Sequence, residues 1–491
     1  VSGDGAATHR PERELQFEQA MSPAEAVMWK VDGDPWLRPI AGTLVVLDRP
    51  VDFGLFERYM RHAVVEIPRL RERVVAGAGL LSAPVWAPDA DFDMAHHLRH
   101  VALPRHAKMA DLQQLVSRWY EDPFDLTRPL WEFIVVDGVH PGRGALFWKV
   151  HHTISDGMGL VRLSERFMQA ERDAPAPPEV DLEGVVARAA AATRPSGSSG
   201  RLSSAARRSV AVGWLPVTAG RWAAVTAART ALDPAGAVGA AQGAVGAVRG
   251  AVGQLSAAPP APGSPLWRSR SARRHLESMR IPLDAARQAG KMLGGSINDV
   301  FVTGAVEGVL AYHAKRDVPV PFLNFSFVVS QRTGAGVGGN FFTPRRAQVP
   351  GGPASVEERF AMVRDRMAVE RHAAAGASSV AGLARMAQAL PASVVRRTGR
   401  AQVAGVDFAT SNLRGAPFPL YISGAGVLDT TTMGPVSGTA FNLTTISYDG
   451  DLHMGLLVDP VAVDDPVDLR VCIEEAYAQL LTPPQRGRRA S

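Results

Sequence analysis

The stretch Gly144-Ala-Leu-Phe-Trp-Lys-Val-His-His-Thr-Ile-Ser-Asp-Gly157 carries an apolar run into a turn. The run 144–150 reads as a buried strand, and Asp156-Gly157 supplies the turn residues. Successive side chains on a strand point to opposite faces. One of His151 and His152 therefore faces the interior, and its neighbour faces a cleft. Asp156 follows His152 by four residues, where a tight turn braces the loop. A histidine held in this way is what a positioned general base requires.

Strand and helix patterns alternate on both sides of this stretch, which predicts an α/β protein. Upstream, Ser22 caps a helix with Pro23 at its first position. Leu44–Leu47 is a short strand, and Leu55–Glu66 and Leu112–Tyr120 are amphipathic helices. Glu132–Val136 pairs with Ala145–Val150 through glycine-containing turns. Downstream, Asn298-Asp299 precedes a helix over Val300–Tyr312, and Pro321–Ser330 is a strand. A helix over Val356–Ala375 opens on a Ser355/Glu358 capping box. Phe418–Val427, Thr439–Tyr448 and Asp451–Val458 read as strands, the last two joined by an Asp449-Gly450 hairpin turn. A helix over Leu469–Leu481 closes the pattern.

With 491 residues the chain exceeds one ordinary core, and two domains are expected. The boundaries read as a tail over 1–20, a first domain over 21–173, an Ala/Gly/Pro/Arg-rich connection over 174–275, a second domain over 276–482 and a tail over 483–491. Within the connection, ten arginines against the single acid Asp233 fall between 201 and 274. That run is either a solvated linker or a basic surface for anionic lipid. Glycines at 236, 239, 243, 246, 250 and 253 form a stripe at helical spacing, or a flexible repeat.

The net charge of +5 gives no argument for nucleic acid. Cys472 is the only cysteine, which rules out an intrachain disulfide and favours a reducing, cytoplasmic compartment. Residues 1–20 lack the apolar centre of a signal peptide. No uninterrupted apolar run reaches membrane-spanning length, so any membrane contact is peripheral. His96, His97 and His100 lack the cysteine cluster or helical His-x-x-x-His spacing that supports a metal site, and no metal is expected.

Further blocks surround the opening stretch. Phe124-Asp-Leu-Thr-Arg-Pro-Leu-Trp-Glu132 lies upstream, preceded by Phe92-Asp93 and Leu98-Arg-His-Val-Ala-Leu-Pro104. Asn298-Asp299, Val329-Ser-Gln-Arg332 and Gly339-Asn340 follow in the second half. In order and spacing, these blocks over residues 21–480 resemble the bacterial wax ester synthase/diacylglycerol acyltransferase family. The family itself resembles the wider CoA-dependent acyltransferase superfamily, with chloramphenicol acetyltransferase and condensation domains.

The resemblance implies two chloramphenicol-acetyltransferase-like α/β sandwich domains with a tunnel between them and His152 at its middle. Acyl-CoA is then the co-substrate, with no bound cofactor, and diacylglycerol or a long-chain alcohol is the acceptor. The surface of the inner membrane or of a lipid inclusion is the implied place of work. His152 serves as base for direct transfer, accompanied by His151 and Gly157. Asp156 either orients His152 or, as the resemblance favours, points away and pairs with Arg332. Pro129-Leu130-Trp131 is a packing element beside the tunnel. Asn298, Asp299, Ser411 and Asn412 are candidates for the oxyanion or for substrate contact. The family's Asn-Val-Pro-Gly-Pro stretch is here Asn412-Leu-Arg-Gly-Ala-Pro417, which leaves the substrate open. An acyltransferase for another alcohol or an amine, and a non-catalytic lipid-inclusion protein, remain as alternatives.

Overall fold

The structure is a computed structural model; it describes residues 19–76, 83–104, 106–140, 142–193, 263–330, 342–375 and 390–482. Its strands are β1 (Ile40–Leu47), β2 (Glu72–Val75), β3 (Val85–Pro88), β4 (Leu98–Ala102), β5 (Trp131–His140), β6 (Arg143–His151), β7 (His275–Pro282), β8 (Phe322–Ser330), β9 (Phe342–Pro350), β10 (Phe408–Arg414), β11 (Tyr421–Ile422), β12 (Ala425–Met433), β13 (Phe441–Tyr448) and β14 (Asp451–Val458). The helices are α1 (Pro23–Val31), α2 (Phe53–Glu66), α3 (Met94–His97), α4 (Met109–Glu121), α5 (Gly157–Ser164), α6 (Leu182–Thr193), α7 (Leu283–Met292), α8 (Ile297–Ala314), α9 (Val356–Ala375), α10 (Ala392–Val403) and α11 (Pro466–Leu481).

Two six-stranded sheets carry the molecule, in the orders β11-β12-β1-β6-β5-β4 and β7-β14-β13-β10-β8-β9. Strand β6 is buried at every position after Arg143, as its largely apolar run Gly144–Trp148 requires, and the strand's one lysine, Lys149, donates to the Trp119 and Asp122 carbonyls at 3.0 Å each. The turn between β13 and β14 has Asp449 and Gly450 both at positive φ, 44° and 91°. That is the backbone of a type I′ hairpin, and the Asp-Gly pair announces it. Ser22 and Glu25 form a reciprocal capping box at α1, and Ser355 and Glu358 do the same at α9.

The sheets do not follow the order of the chain. Strand β12, from the second half, pairs antiparallel with β1 from Leu47↔Val427 to Gly42↔Met433. A continuous strand over 418–427 is the sequence expectation; the structure instead breaks it and places the strand later. Ser423 and Gly424 at φ 48° and 82° make a turn between β11 and β12. Polar contacts fix this exchange: Arg172 binds Asp48 at 2.5 Å, and Asp48 accepts the Gly426 N–H at 2.8 Å. Helix α10 packs on α1, where Lys30 donates to the Leu390 carbonyl at 2.7 Å and Arg400 pairs with Asp34 at 2.8 Å. The first core accordingly includes Ile422, Ala425 and Met433 beside Phe56, Phe133 and Phe147.

Asn298-Asp299 does not precede its helix but lies within the first turn of α8. Ser296 is the N-cap, and its reciprocal bonds with Asp299 start the helix one residue before Asn298. The glycine stripe at 236–253 and the arginines at 201–249 lie outside the described residues. Among the described residues, no helix is long and apolar enough to cross a membrane.

Candidate active site

Strand β6 delivers the two histidines with their backbones fixed. The His151 N–H donates to the Leu130 carbonyl at 3.0 Å, and the His152 N–H donates to the Pro39 carbonyl at 2.8 Å. Alternation then separates their side chains. His151 is fully buried beneath the turn. Its Nδ1 accepts the Thr153 N–H at 3.2 Å and lies 2.7 Å from Thr153 Oγ1. A nitrogen that accepts a backbone N–H carries no proton, which leaves the proton of the neutral ring on Nε2. Nε2 faces Asp32 Oδ1 at 3.3 Å, close enough for an electrostatic contact but without hydrogen-bond alignment. Trp29 and Phe124 meet the ring edge-on, each at 6.3 Å between centroids.

His152 faces the other way and lines a cavity of about 220 Å³ between the two sheets. The cavity occupies the place where β8 and β10 part. These parallel strands pair only from Phe325↔Phe408 to Phe327↔Thr410. Beyond that point Val328 of β8 and Ser411 and Asn412 of β10 border the opening. The opposite wall belongs to the first sheet, with Thr43, Trp148 and Thr432, which share one row across β1, β6 and β12. Most of the lining is aliphatic or aromatic, including Val45, Met158, Val161, Met168 and Ile446.

Asp156 is the N-cap of α5, and its Oδ1 accepts the Gly159 N–H at 2.8 Å. Asp156 thus fixes the start of the helix that roofs the cavity. Gly157 opens that helix against β10. A Cβ there would stand 2.8 Å from Leu413 Cδ2, so glycine permits the close approach of α5 to the second sheet. Arg332, the expected partner of Asp156, lies outside the described residues, as do Gln331, Gly339 and Asn340.

The candidates from the second half separate into two groups. Asn298 and Asn412 come together, with Asn412 Nδ2 3.2 Å from Asn298 Oδ1. Ser411 and Asn412 line the cavity. Asp299 does not reach it. Its carboxylate accepts from the Ser296 N–H at 2.9 Å and the Ser296 hydroxyl at 2.7 Å, and Arg371 approaches to 3.4 Å. Capping α8 occupies this side chain.

Pro129, Leu130 and Trp131 are buried behind the turn and do not line the cavity. Trp131 donates to the Leu70 carbonyl at 2.7 Å and stacks on His97 at 4.3 Å between centroids. His97 donates from Nδ1 to the Trp131 carbonyl at 2.8 Å. Burial pushes its pKa down to about 4, the bond to Trp131 offsetting only part of that cost. Cys472 lies buried in α11 outside the cavity, and burial pushes its thiol up. His100 pairs with Asp137 at 2.8 Å, and His96 stands at the surface beside Asp93.

Several participants carried no signal in the chain. Asp32 follows a short helix in a Val-Asp-Gly-Asp turn and reads as a surface residue. The run Thr430-Thr431-Thr432 has strand-forming side chains, which was the available clue to β12.

Residues 21–301 match the wax ester synthase/diacylglycerol acyltransferase catalytic domain, and residues 338–481 match the C-terminal domain of that family. A protein of Mycobacterium tuberculosis (strain ATCC 25618 / H37Rv) described as "Putative diacyglycerol O-acyltransferase Rv2484c" is 28% identical over 471 residues, covering 95% of this chain and 92% of its own. Among solved structures, a wax ester synthase/diacylglycerol acyltransferase from Marinobacter aquaeolei VT8 superposes with a TM-score of 0.64 at 19% identity, covering 94% of this chain and 98% of its own. The first condensation domain of the CDA synthetase superposes with a TM-score of 0.55 at 18% identity, covering 95% of this chain and 96% of its own. These structural likenesses establish the fold, two halves of the chloramphenicol-acetyltransferase kind.

Proposed function

On the premise that the chain belongs to the wax ester synthase/diacylglycerol acyltransferase family, we propose that it transfers a long-chain acyl group from acyl-CoA to diacylglycerol or a long-chain alcohol. The observation that carries this reading is the position of His152 on an apolar cavity between the two sheets. An aliphatic lining suits fatty chains, and a histidine on that lining suits the one polar task of the reaction.

The chemistry needs a base because an alcohol is a poor nucleophile at neutral pH. The imidazole of His152 takes the hydroxyl proton as the alkoxide oxygen forms its bond to the thioester carbonyl carbon. The tetrahedral intermediate then expels the CoA thiolate, which receives the same proton from the imidazolium. Asn412 and Ser411, which line the same cavity, are side chains able to donate to the oxyanion. Transfer is direct in this scheme: Cys472 is buried away from the cavity and its thiol is held protonated.

The test incubates purified protein with palmitoyl-CoA and either dioleoylglycerol or hexadecanol, following both CoA release and the lipid product. Triacylglycerol or wax ester is expected, and His152→Ala should slow its formation by about 10²–10⁴-fold without loss of fold. Turnover unchanged in that variant would remove His152 as the base. Product from a long-chain amine, with none from either alcohol, would move the protein to another acceptor class.

A further inference from the structure

Among the described hydroxyl side chains that line the cavity, Thr432 stands apart. It is 92% buried, at 8% relative exposure, and its Oγ1 has no hydrogen-bond partner among the described residues. Two other hydroxyls that line the cavity, both on β13 of the second sheet, are satisfied. Thr444 donates to Asn442 Oδ1 at 2.6 Å and accepts the Gly434 N–H at 3.2 Å. The Tyr448 hydroxyl donates to the Val427 carbonyl at 3.1 Å and accepts the Leu420 N–H at 2.9 Å.

Strand geometry aims Thr432 inward. Thr430 and Thr432 border the cavity, whereas Thr431 between them does not, as alternation demands. A buried hydroxyl without a partner is costly, and valine would fill the same volume without that cost. A plain alkyl chain lying along this wall leaves the hydroxyl unsatisfied. A chain carrying a carbonyl oxygen satisfies it.

We propose that Thr432 is a substrate-positioning residue whose hydroxyl donates to a carbonyl oxygen of a substrate held in the cavity. The inference rests on the acyl-transfer reading for the identity of that substrate. Two substrates of the proposed reaction bring such a group into an apolar channel: diacylglycerol through its ester carbonyl, and acyl-CoA through its thioester carbonyl and the amide carbonyls of its pantetheine arm. Hexadecanol brings none beyond its reacting hydroxyl.

Steady-state constants for Thr432→Val and Thr432→Ser, with palmitoyl-CoA and each acceptor, separate these sources. A KM for dioleoylglycerol raised about tenfold relative to that for hexadecanol assigns the partner to the glyceride ester. A KM for palmitoyl-CoA raised about tenfold with either acceptor assigns it to acyl-CoA. Restoration by Thr432→Ser is expected in both cases, because serine keeps the hydroxyl. The proposal is overturned if every KM for Thr432→Val stays within about twofold of wild type, or if kcat falls equally with both acceptors while each KM holds. Should wild-type protein transfer no acyl group, the acyl-transfer reading fails by itself. Tryptophan-fluorescence titrations with dioctanoylglycerol and with CoA then decide the binding claim: about tenfold weaker binding of one of them by Thr432→Val supports it, and equal binding of both overturns it.

Discussion

The two sides of the turn at His151 and His152 are one residue apart in sequence and opposite in physics. Beneath the turn, His151, Thr153, Leu130, Trp131 and His97 form a packed, hydrogen-bonded base closed to solvent. Above it, His152, Asp156 and Gly157 face a cavity shared with the second sheet. Substitutions beneath the turn therefore act on stability, and substitutions above it act on rate or affinity. Two identical side chains in one motif do not imply two catalytic groups.

The sharpest way to break this contrast is to compare the two histidines. His152→Ala should lower kcat by about 10²–10⁴-fold, the range for loss of a general base, with an unchanged urea midpoint. His151→Ala should do the reverse. It removes a buried ring and strips Asp32 of its neighbour, at a cost of about 2–4 kcal/mol in urea unfolding. Its effect on the rate of the folded fraction should be far smaller than that of His152→Ala. Equal kinetic losses in the two variants would overturn the division of roles.

His97 sharpens the same contrast through pH. Its folded pKa is pushed from 6.5 down to about 4. Between those values the unfolded chain takes up a proton that the folded chain refuses, so stability falls as pH drops through this window. Above pH 6.5 the group contributes no pH dependence. The shift corresponds to about 3 kcal/mol of acid destabilisation, complete near pH 4. Urea midpoints measured from pH 7.5 to 4.5 should show this slope, and His97→Phe should flatten it. A slope identical in the variant would place the acid sensitivity elsewhere.

Gly157→Ala gives the smallest expected effect. The added methyl meets only the flexible end of Leu413, so stability should change by less than about 1 kcal/mol. A displaced α5 should still be visible as a raised acceptor KM. An unchanged KM would show that the close approach of α5 and β10 does not shape the cavity.

Much of the local structure was legible because its causes are local. The burial of β6 follows from its apolar run, the β13–β14 hairpin from Asp449-Gly450, and the starts of α1 and α9 from their capping pairs. The break at Ser423-Gly424 was missed because a serine at positive φ leaves little trace in sequence. Asn298 reads as part of a lead-in segment in the sequence, whereas the Ser296–Asp299 cap draws it into the first turn of α8. Asp299 was singled out beside Asn298, but its carboxylate is consumed by that cap.

By itself the sequence determined that a buried strand ends in a histidine pair, that one histidine faces inward, and which family pattern surrounds them. The family resemblance singled out His152, and the tertiary structure supplied the physical cause, since Thr153, Asp32 and the packing of Leu130 and Trp131 hold His151 beneath the turn. Only the tertiary structure decided the meeting of Asn298 with Asn412 and the row of Thr43, Trp148 and Thr432. Those contacts join residues that the chain separates widely, across two sheets that exchange a strand. Periodicity and turn chemistry report what a segment does within a few residues. The pairing of β12 with β1 is set by the burial of both faces of the first sheet, a property that no single segment carries.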